Sequence, residues 1–318
     1  MLILRNHTRS LNRVLLLLPL LLMASWARTQ GAVYVLKAKT GDVVTTAEST
    51  TESGASQSFE LHRNLIFFPA RLNGRTGNFI LDTGAPTLLV NRRGEIPQNK
   101  LSSGYGAGGK VAINPHRVES LEFAGQRHGR TWALALDLRG MEARTGRTID
   151  GFIGYEQLSN RELRIDYAGE DFSIRKSVRR PQHDGRSPDS ELDLDFAGHL
   201  PLVTLRFGKR RLKFILDTGA AVNLIDEAYA DLTATTGKEM NIEGLDGDNR
   251  IYPLVRLPDP QRLSLSAEQR SFVRMDLSHL QETDAPPIAG ILGSAFLEKF
   301  AVGIDYRRRK LYIWNPSK

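Results

Sequence analysis

The sequence predicts an all-β protein made of two tandem, similar barrel lobes related by a pseudo-twofold axis. Three observations predict it. The segment Phe79-Ile80-Leu81-Asp82-Thr83-Gly84-Ala85 recurs unchanged 135 residues later as Phe214-Ile215-Leu216-Asp217-Thr218-Gly219-Ala220. Two later pairs hold register with it at an offset of 139. They are Asp150-Gly151-Phe152-Ile153-Gly154 with Ala289-Gly290-Ile291-Leu292-Gly293, and Arg164-Ile165-Asp166-Tyr167 with Gly303-Ile304-Asp305-Tyr306. Between these markers the chain reads as short apolar runs broken by turn residues, a barrel pattern. Seven identical residues in a row are hard to obtain by chance, so the repeat reads as an internal duplication.

Composition sets the outer limits. The chain has 318 residues, 41% hydrophobic and 25% charged, which excludes wholesale disorder, collagen and coiled coil. It has no cysteine, so disulfides, Cys-based zinc sites and thiol nucleophiles are excluded. The formal charge is +7.

The elements follow in chain order. Residues 1–27 carry Arg5, Arg9 and Arg13, then the apolar run Val14–Met23, then Ala24-Ser25-Trp26-Ala27. That order reads as a secretory signal cut after Ala27. The run is short and broken by Pro19, which disfavours a membrane-spanning helix, with an uncleaved anchor as the alternative. Removing the segment leaves a charge of +4, too weak a balance to argue for nucleic acid. Export without cysteine favours a bacterial periplasm or the extracellular space.

Residues 28–57 form an N-terminal segment, with Ser/Thr-rich 45–58 expected to be flexible. A first lobe is expected over 58–175, a linker over 176–192 and a second lobe over 193–318. Asn64–Leu72 and Leu200–Phe207 read as strands, and Phe79–Leu81 and Phe214–Leu216 as buried strand ends. Thr131–Leu138 and Ser271–Leu277 are further strand candidates. Arg164–Tyr167 with Asp171–Ile174, and Ala301–Tyr306 with Lys310–Trp314, read as closing hairpins. Brief helices are expected at Tyr155–Leu163, Asp226–Leu232 and Ser294–Phe300. The stretch from Arg175 to Glu191 has two prolines and almost nothing apolar, so it reads as a solvated linker.

One Asp-Thr-Gly alone reads equally well as a turn after a strand. Two copies change the chemistry available. Related units can pack about a pseudo-twofold axis, as subunits do in an isologous dimer. Equivalent loops then face each other, and Asp82 and Asp217 cannot both ionise cheaply, so one holds a proton. A shared proton is what general acid–base attack of water on a peptide carbonyl requires. Gly84 and Gly219 allow close backbone approach, and the Thr83 and Thr218 hydroxyls can lock the loops across the axis.

At these residues the chain resembles the retropepsin-like aspartic proteases. The carriers are the two F-I-L-D-T-G-A segments and the apolar-apolar-Gly triplets Phe152-Ile153-Gly154 and Ile291-Leu292-Gly293. The resemblance covers about 58–175 and 193–316 and is strongest to exported bacterial members. It implies retropepsin-like lobes, a catalytic Asp82/Asp217 pair with a ψ-shaped loop under each, and water as nucleophile with no cofactor or metal. It implies endopeptidase cleavage of a polypeptide bound in an extended pose. Pairing within one chain, as a monomer with pseudo-dimeric lobes, is the first reading. A homodimer with separate Asp82/Asp82′ and Asp217/Asp217′ sites and a non-catalytic peptide-binding module are the alternatives. Retroviral members place Gly-Arg-Asn or Gly-Arg-Asp after the triplet glycine. This chain has Gly154-Tyr155-Glu156 and Gly293-Ser294-Ala295, so the support given by that Arg is missing.

Leu101–Lys110, with Gly104, Tyr105 and Gly106, reads as a substrate-covering flap or as an ordinary mobile loop. Residues 243–248 are its counterpart in the second unit. Gly104-x-Gly106-x-x-Gly109 matches a dinucleotide fingerprint but lacks the βαβ context that would give it meaning. The seven histidines show no metal-ligand spacing. Ala85 and Ala220 stand where pepsin-like enzymes carry a hydroxyl donor to the catalytic carboxylate. Their presence predicts a pH optimum of roughly 5–6.5, above the strongly acid range.

Overall fold

The computed structural model describes residues 13–15, 54–93, 102–106, 109–243, 249–280 and 287–316. Most of the expected signal and N-terminal segment, and the 94–101 and 244–248 stretches, lie outside them.

The strands form two large sheets, and the architecture is the two-lobed, mostly β fold expected. In each lobe apolar alternation folds a hairpin against the barrel. Leu65–Leu72 pairs antiparallel with Arg75–Leu81, and Leu200–Phe207 with Arg210–Leu216. The turns between them use residues with positive φ, at Asn73 (50°) and Gly74 (77°) and at Gly208 (61°).

The two units meet in a shared layer of strands. Its order is Ser56–Ser58, Asp171–Arg175, Glu162–Asp166, Ala301–Asp305, Lys310–Trp314, Ser190–Ala197. At its centre Arg164 pairs with Gly303, each from the matching position of the repeat. One face carries Leu163, Ile165, Phe172, Ile174, Val302, Ile304, Leu311 and Ile313 into a core that continues into both lobes. The period-two alternation of these strands is what buries that face. Ser190–Ala197 pairs with Lys310–Trp314 through its first half and with Leu200–Phe207 through its second. In the first unit that path is split into Ser56–Ser58 and Glu60–His62.

The structure departs from the expected elements in four places. Ser56–Ser58, expected to be flexible, is an edge strand held by Asp171–Arg175. The expected Tyr155–Leu163 helix stops at Leu158, and Glu162–Asp166 is a strand of the shared layer. Its charged side chains face away from the core, which masks the alternation. Arg139–Thr145 is a helix with no apolar periodicity to announce it, ended by Gly146 at φ 70°. The linker is fastened rather than loose. Ser177 Oγ donates to Asp305 Oδ2 at 2.7 Å, Arg164 Nη1 to the Gln182 carbonyl at 2.8 Å, and Trp314 Nε1 to the Arg186 carbonyl at 2.9 Å.

Candidate active site

Each Asp-Thr-Gly leaves the end of a buried strand. Phe79, Ile80 and Leu81 lie parallel to Gly151, Phe152 and Ile153. Phe214, Ile215 and Leu216 lie parallel to Gly290, Ile291 and Leu292. The ladder continues past the strand end, where Asp82 N donates to the Ile153 carbonyl at 3.0 Å and Asp217 N to that of Leu292 at 2.9 Å. After each loop the chain returns on the far side of the triplet strand, as Leu89–Asn91 and Asn223–Asp226. The triplet is thus threaded through the loop it supports. A Cβ on Gly154 would stand 2.5 Å from the Ala85 carbonyl oxygen, and one on Gly293 2.4 Å from that of Ala220. Only glycine fits this crossing.

The two loops are bolted together by their threonines. Thr83 N donates to Thr218 Oγ1 at 3.1 Å, and Thr218 N to Thr83 Oγ1 at 3.0 Å. The Thr83 hydroxyl donates onward to the Leu216 carbonyl at 2.9 Å, and that of Thr218 to Leu81 at 2.8 Å. Every link crosses between units. Both threonines are fully buried, so these bonds are protected from exchange with water.

The carboxyls of Asp82 and Asp217 are buried and within hydrogen-bonding reach of each other. Asp82 Oδ1 accepts from Gly84 N at 2.9 Å and Ala85 N at 3.0 Å. Asp217 Oδ1 accepts from Gly219 N at 2.9 Å. Asp217 Oδ2 is buried and meets no donor among the described residues. A proton on that oxygen, donated to Asp82, removes the unmet acceptor. Burial pushes Asp82 up to about 6, opposed by the hydrogen bond from Asp217 and by the two backbone donors. Burial, and then the Asp82 charge, push Asp217 well above the carboxylate range. The pair therefore holds one proton between them, and two backbone donors on Asp82 against one on Asp217 favour the charge on Asp82.

Main-chain N–H groups after each triplet hold the loops from below. Tyr155 N donates to the Ala85 carbonyl at 2.9 Å and Ser294 N to that of Ala220 at 2.8 Å. Beneath them lie Tyr167 and Tyr306, equivalent in the repeat. Both are buried, and neither hydroxyl has a partner of ordinary geometry among the described residues. Burial raises both phenols far above their usual range, reinforced at Tyr306 by Tyr155 and then by Asp82 and Asp217. Sequence reasoning missed Asn223, which donates from Nδ2 to the Gln269 and Ser271 carbonyls at 3.1 Å each and accepts from Gly293 N at 3.0 Å. Aligning the repeats sets it against Leu88, a polar residue in an apolar slot, and that was the available signal.

Ser102–Gly106 and Gly109–Val118 form an antiparallel hairpin in which Tyr105 pairs with Lys110 and Gly106 with Gly109. Ala234–Glu243 and Asn249–Arg256 form its counterpart, with 244–248 outside the described residues. Gly104, Tyr105 and Gly106 thus lie on one arm of a hairpin. His183, which sequence spacing did not connect to other ligands, stands with Asp166 and Asp184 in a group whose ligand atoms lie within 4.8 Å. Asp166 Oδ1 already accepts from Ala168 N and Gly169 N, and the group forms part of the fastened linker.

Comparison with known proteins bears on the fold. Residues 68–157 match the model of the aspartyl protease family. No curated protein matches the chain in sequence. Among solved structures, the aspartic proteinase from Irpex lacteus superposes with a TM-score of 0.51 at 10% identity, covering 83% of this chain and 98% of that one. The chain therefore has the aspartic protease fold.

Proposed function

We propose that this protein is an aspartic endopeptidase in which Asp82 and Asp217 share one proton and activate water against a peptide carbonyl. The buried, unpartnered Asp217 Oδ2 beside the Asp82 carboxyl carries this reading. Asp82, ionised, takes a proton from the attacking water as general base. Asp217, protonated, donates to the carbonyl oxygen as general acid. Collapse of the tetrahedral intermediate breaks the C–N bond, the amine taking a proton from the pair. Neither step calls for a metal or cofactor.

The reciprocal Thr83–Thr218 bonds run within one chain and support a monomeric enzyme over a homodimer with two sites. The substrate we infer is polypeptide in an extended conformation, covered by the Ser102–Val118 hairpin. The basic, apolar and small-residue order of residues 1–27 supports export. The test is incubation of the purified chain with a diverse peptide library across pH, with sequencing of the products. Internal cuts at one pH optimum are expected. A chain that binds a transition-state mimic but cuts nothing would be the non-catalytic module instead.

A further inference from the structure

Two side chains reach across the lobe interface to the carbonyls of the opposite catalytic loop. His199, in the turn before Leu200–Phe207, places Nε2 2.9 Å from the Gly84 oxygen. Asn64, its counterpart in the repeat, donates from Nδ2 to the Ala221 oxygen at 3.0 Å. A carbonyl only accepts, so His199 carries its proton on Nε2.

The two contacts differ in what lies behind them. The Gly84 carbonyl and the Ala85 N–H belong to one peptide group. That N–H donates to Asp82 Oδ1 at 3.0 Å. His199, the 84–85 peptide and Asp82 therefore form a chain in which each hydrogen bond polarises the next. The peptide after Ala221 has no such role, because Asp217 Oδ1 receives Gly219 N alone from its loop.

We propose that His199 is a positioning residue for the dyad, which through the Gly84–Ala85 peptide makes Asp82 the carboxylate that holds the charge. The repeat is symmetric in sequence at its catalytic loops, and this contact is one place where the symmetry is broken. The charged and titratable groups facing the relay are Asp217, Tyr306 and Tyr155. Tyr155 lies with its ring 6.5 Å from that of His199 and 5.6 Å from that of Tyr306. Burial raises the Tyr306 phenol, so the dyad is the group that changes charge in the working range. Burial lowers the His199 pKa, opposed by its bond to Gly84, and keeps it neutral there.

The inference rests on the dyad geometry, and its test does not need turnover. The carboxyl carbons of aspartate are labelled with 13C in the full chain and titrated by NMR in wild type, His199→Gln, His199→Phe and Asn64→Leu. Hydrogen bonds in a chain strengthen one another by roughly 10–30%, so loss of the His199 donor should raise the lower pKa of the pair by about half a unit. His199→Gln, which keeps an N–H donor, should restore most of it. Asn64→Leu, which breaks the matching cross-lobe bond without touching a relay, should leave it in place. If His199→Phe does not fold, His199→Met in its place removes the donor with a flexible side chain. An unmoved pKa in folded donor-less variants, or an equal shift in Asn64→Leu, overturns the proposal. A shifted pKa in a chain that cleaves nothing would uphold it while removing the protease reading.

Discussion

Gly219 stands directly against the Asp82 carboxyl. A Cβ at this position would lie 2.5 Å from Asp82 Cγ and 2.6 and 2.8 Å from its two oxygens. The second glycine of the duplicated motif therefore serves the first aspartate, and the need for it is steric rather than conformational. Gly219→Ala should push Asp82 off its backbone donors. Displacement of a catalytic group by about 1 Å costs on the order of 100-fold, so kcat/KM should fall at least that far. The check is steady-state cleavage of one peptide, with circular dichroism to show the fold is kept. Near-normal turnover would mean that the Asp82 position is not critical.

The carboxylates themselves give the next prediction. Asp82→Asn and Asp217→Asn should each lower kcat by about 10²–10⁴-fold, because neither amide can exchange the shared proton. Mixing the two variants should restore nothing if the loops pair within one chain. Recovery on mixing, measured by peptide cleavage, would show exchange of lobes between chains.

The pH profile follows from burial. Asp82 is pushed up to about 6, so the acidic limb of kcat/KM should have its midpoint near that value. The optimum then falls above pH 6, at or beyond the upper end of the range expected from the missing hydroxyls. Ala85→Ser with Ala220→Ser adds a donor to the charged form and should move the limb to lower pH. An optimum near pH 2–3, or a limb that stays put, would show that these alanines do not set the working pH.

Stability should respond to the same pair. Both folded-state pKa values are raised above the unfolded ones, Asp82 to about 6. The folded state then binds more protons than the unfolded state between about pH 4 and the folded pKa. The stabilisation is present below pH 4 and is lost as pH rises through 6 and beyond. Carboxylates held low by arginine or lysine, such as Asp137 and Asp195, act in the opposite direction at acid pH. A difference measurement isolates the pair. The Tm of Asp217→Asn minus that of wild type should grow more positive between pH 4 and pH 7. A flat difference would mean the burial cost is compensated by other contacts.

Asn223→Leu should cost about 2–4 kcal/mol, since it strands the Gly293 N–H and two carbonyls in a dry interior. Urea unfolding measures it.

Much of this was legible in the chain itself, for physical reasons. At Gly151, Gly154, Gly290 and Gly293 a Cβ would collide with a carbonyl, and at Gly219 with the Asp82 carboxyl, so the sequence had little freedom there. The hairpins showed because one face of each is buried and alternation records it. What stayed hidden depends on partners far apart in sequence. Glu162 and Arg164 are charged, yet 1% and 3% exposed by side chain, because they pair with each other on the outer face of the shared layer. Arg164 also stacks 4.1 Å from the Trp314 ring. Nothing local tells a buried ion pair from a solvated one. Asn64 read as the start of a strand and His199 as one of seven unconnected histidines, and only the assembled interface shows what they touch.

On the proposed reading, with the loops paired within one chain, a single chain owns both halves of the site. In an assembly of identical subunits every inherited change is made twice, once on each side of the axis. Here a single codon alters one side alone. Leu88 against Asn223, Tyr155 against Ser294 and Arg164 against Gly303 are such one-sided changes already accumulated. On the same reading, carrying both halves in one chain lets the two aspartates specialise, Asp82 as the proposed base and Asp217 as the proposed acid. A twofold homodimer can reach that division of labour only transiently, when substrate breaks its symmetry.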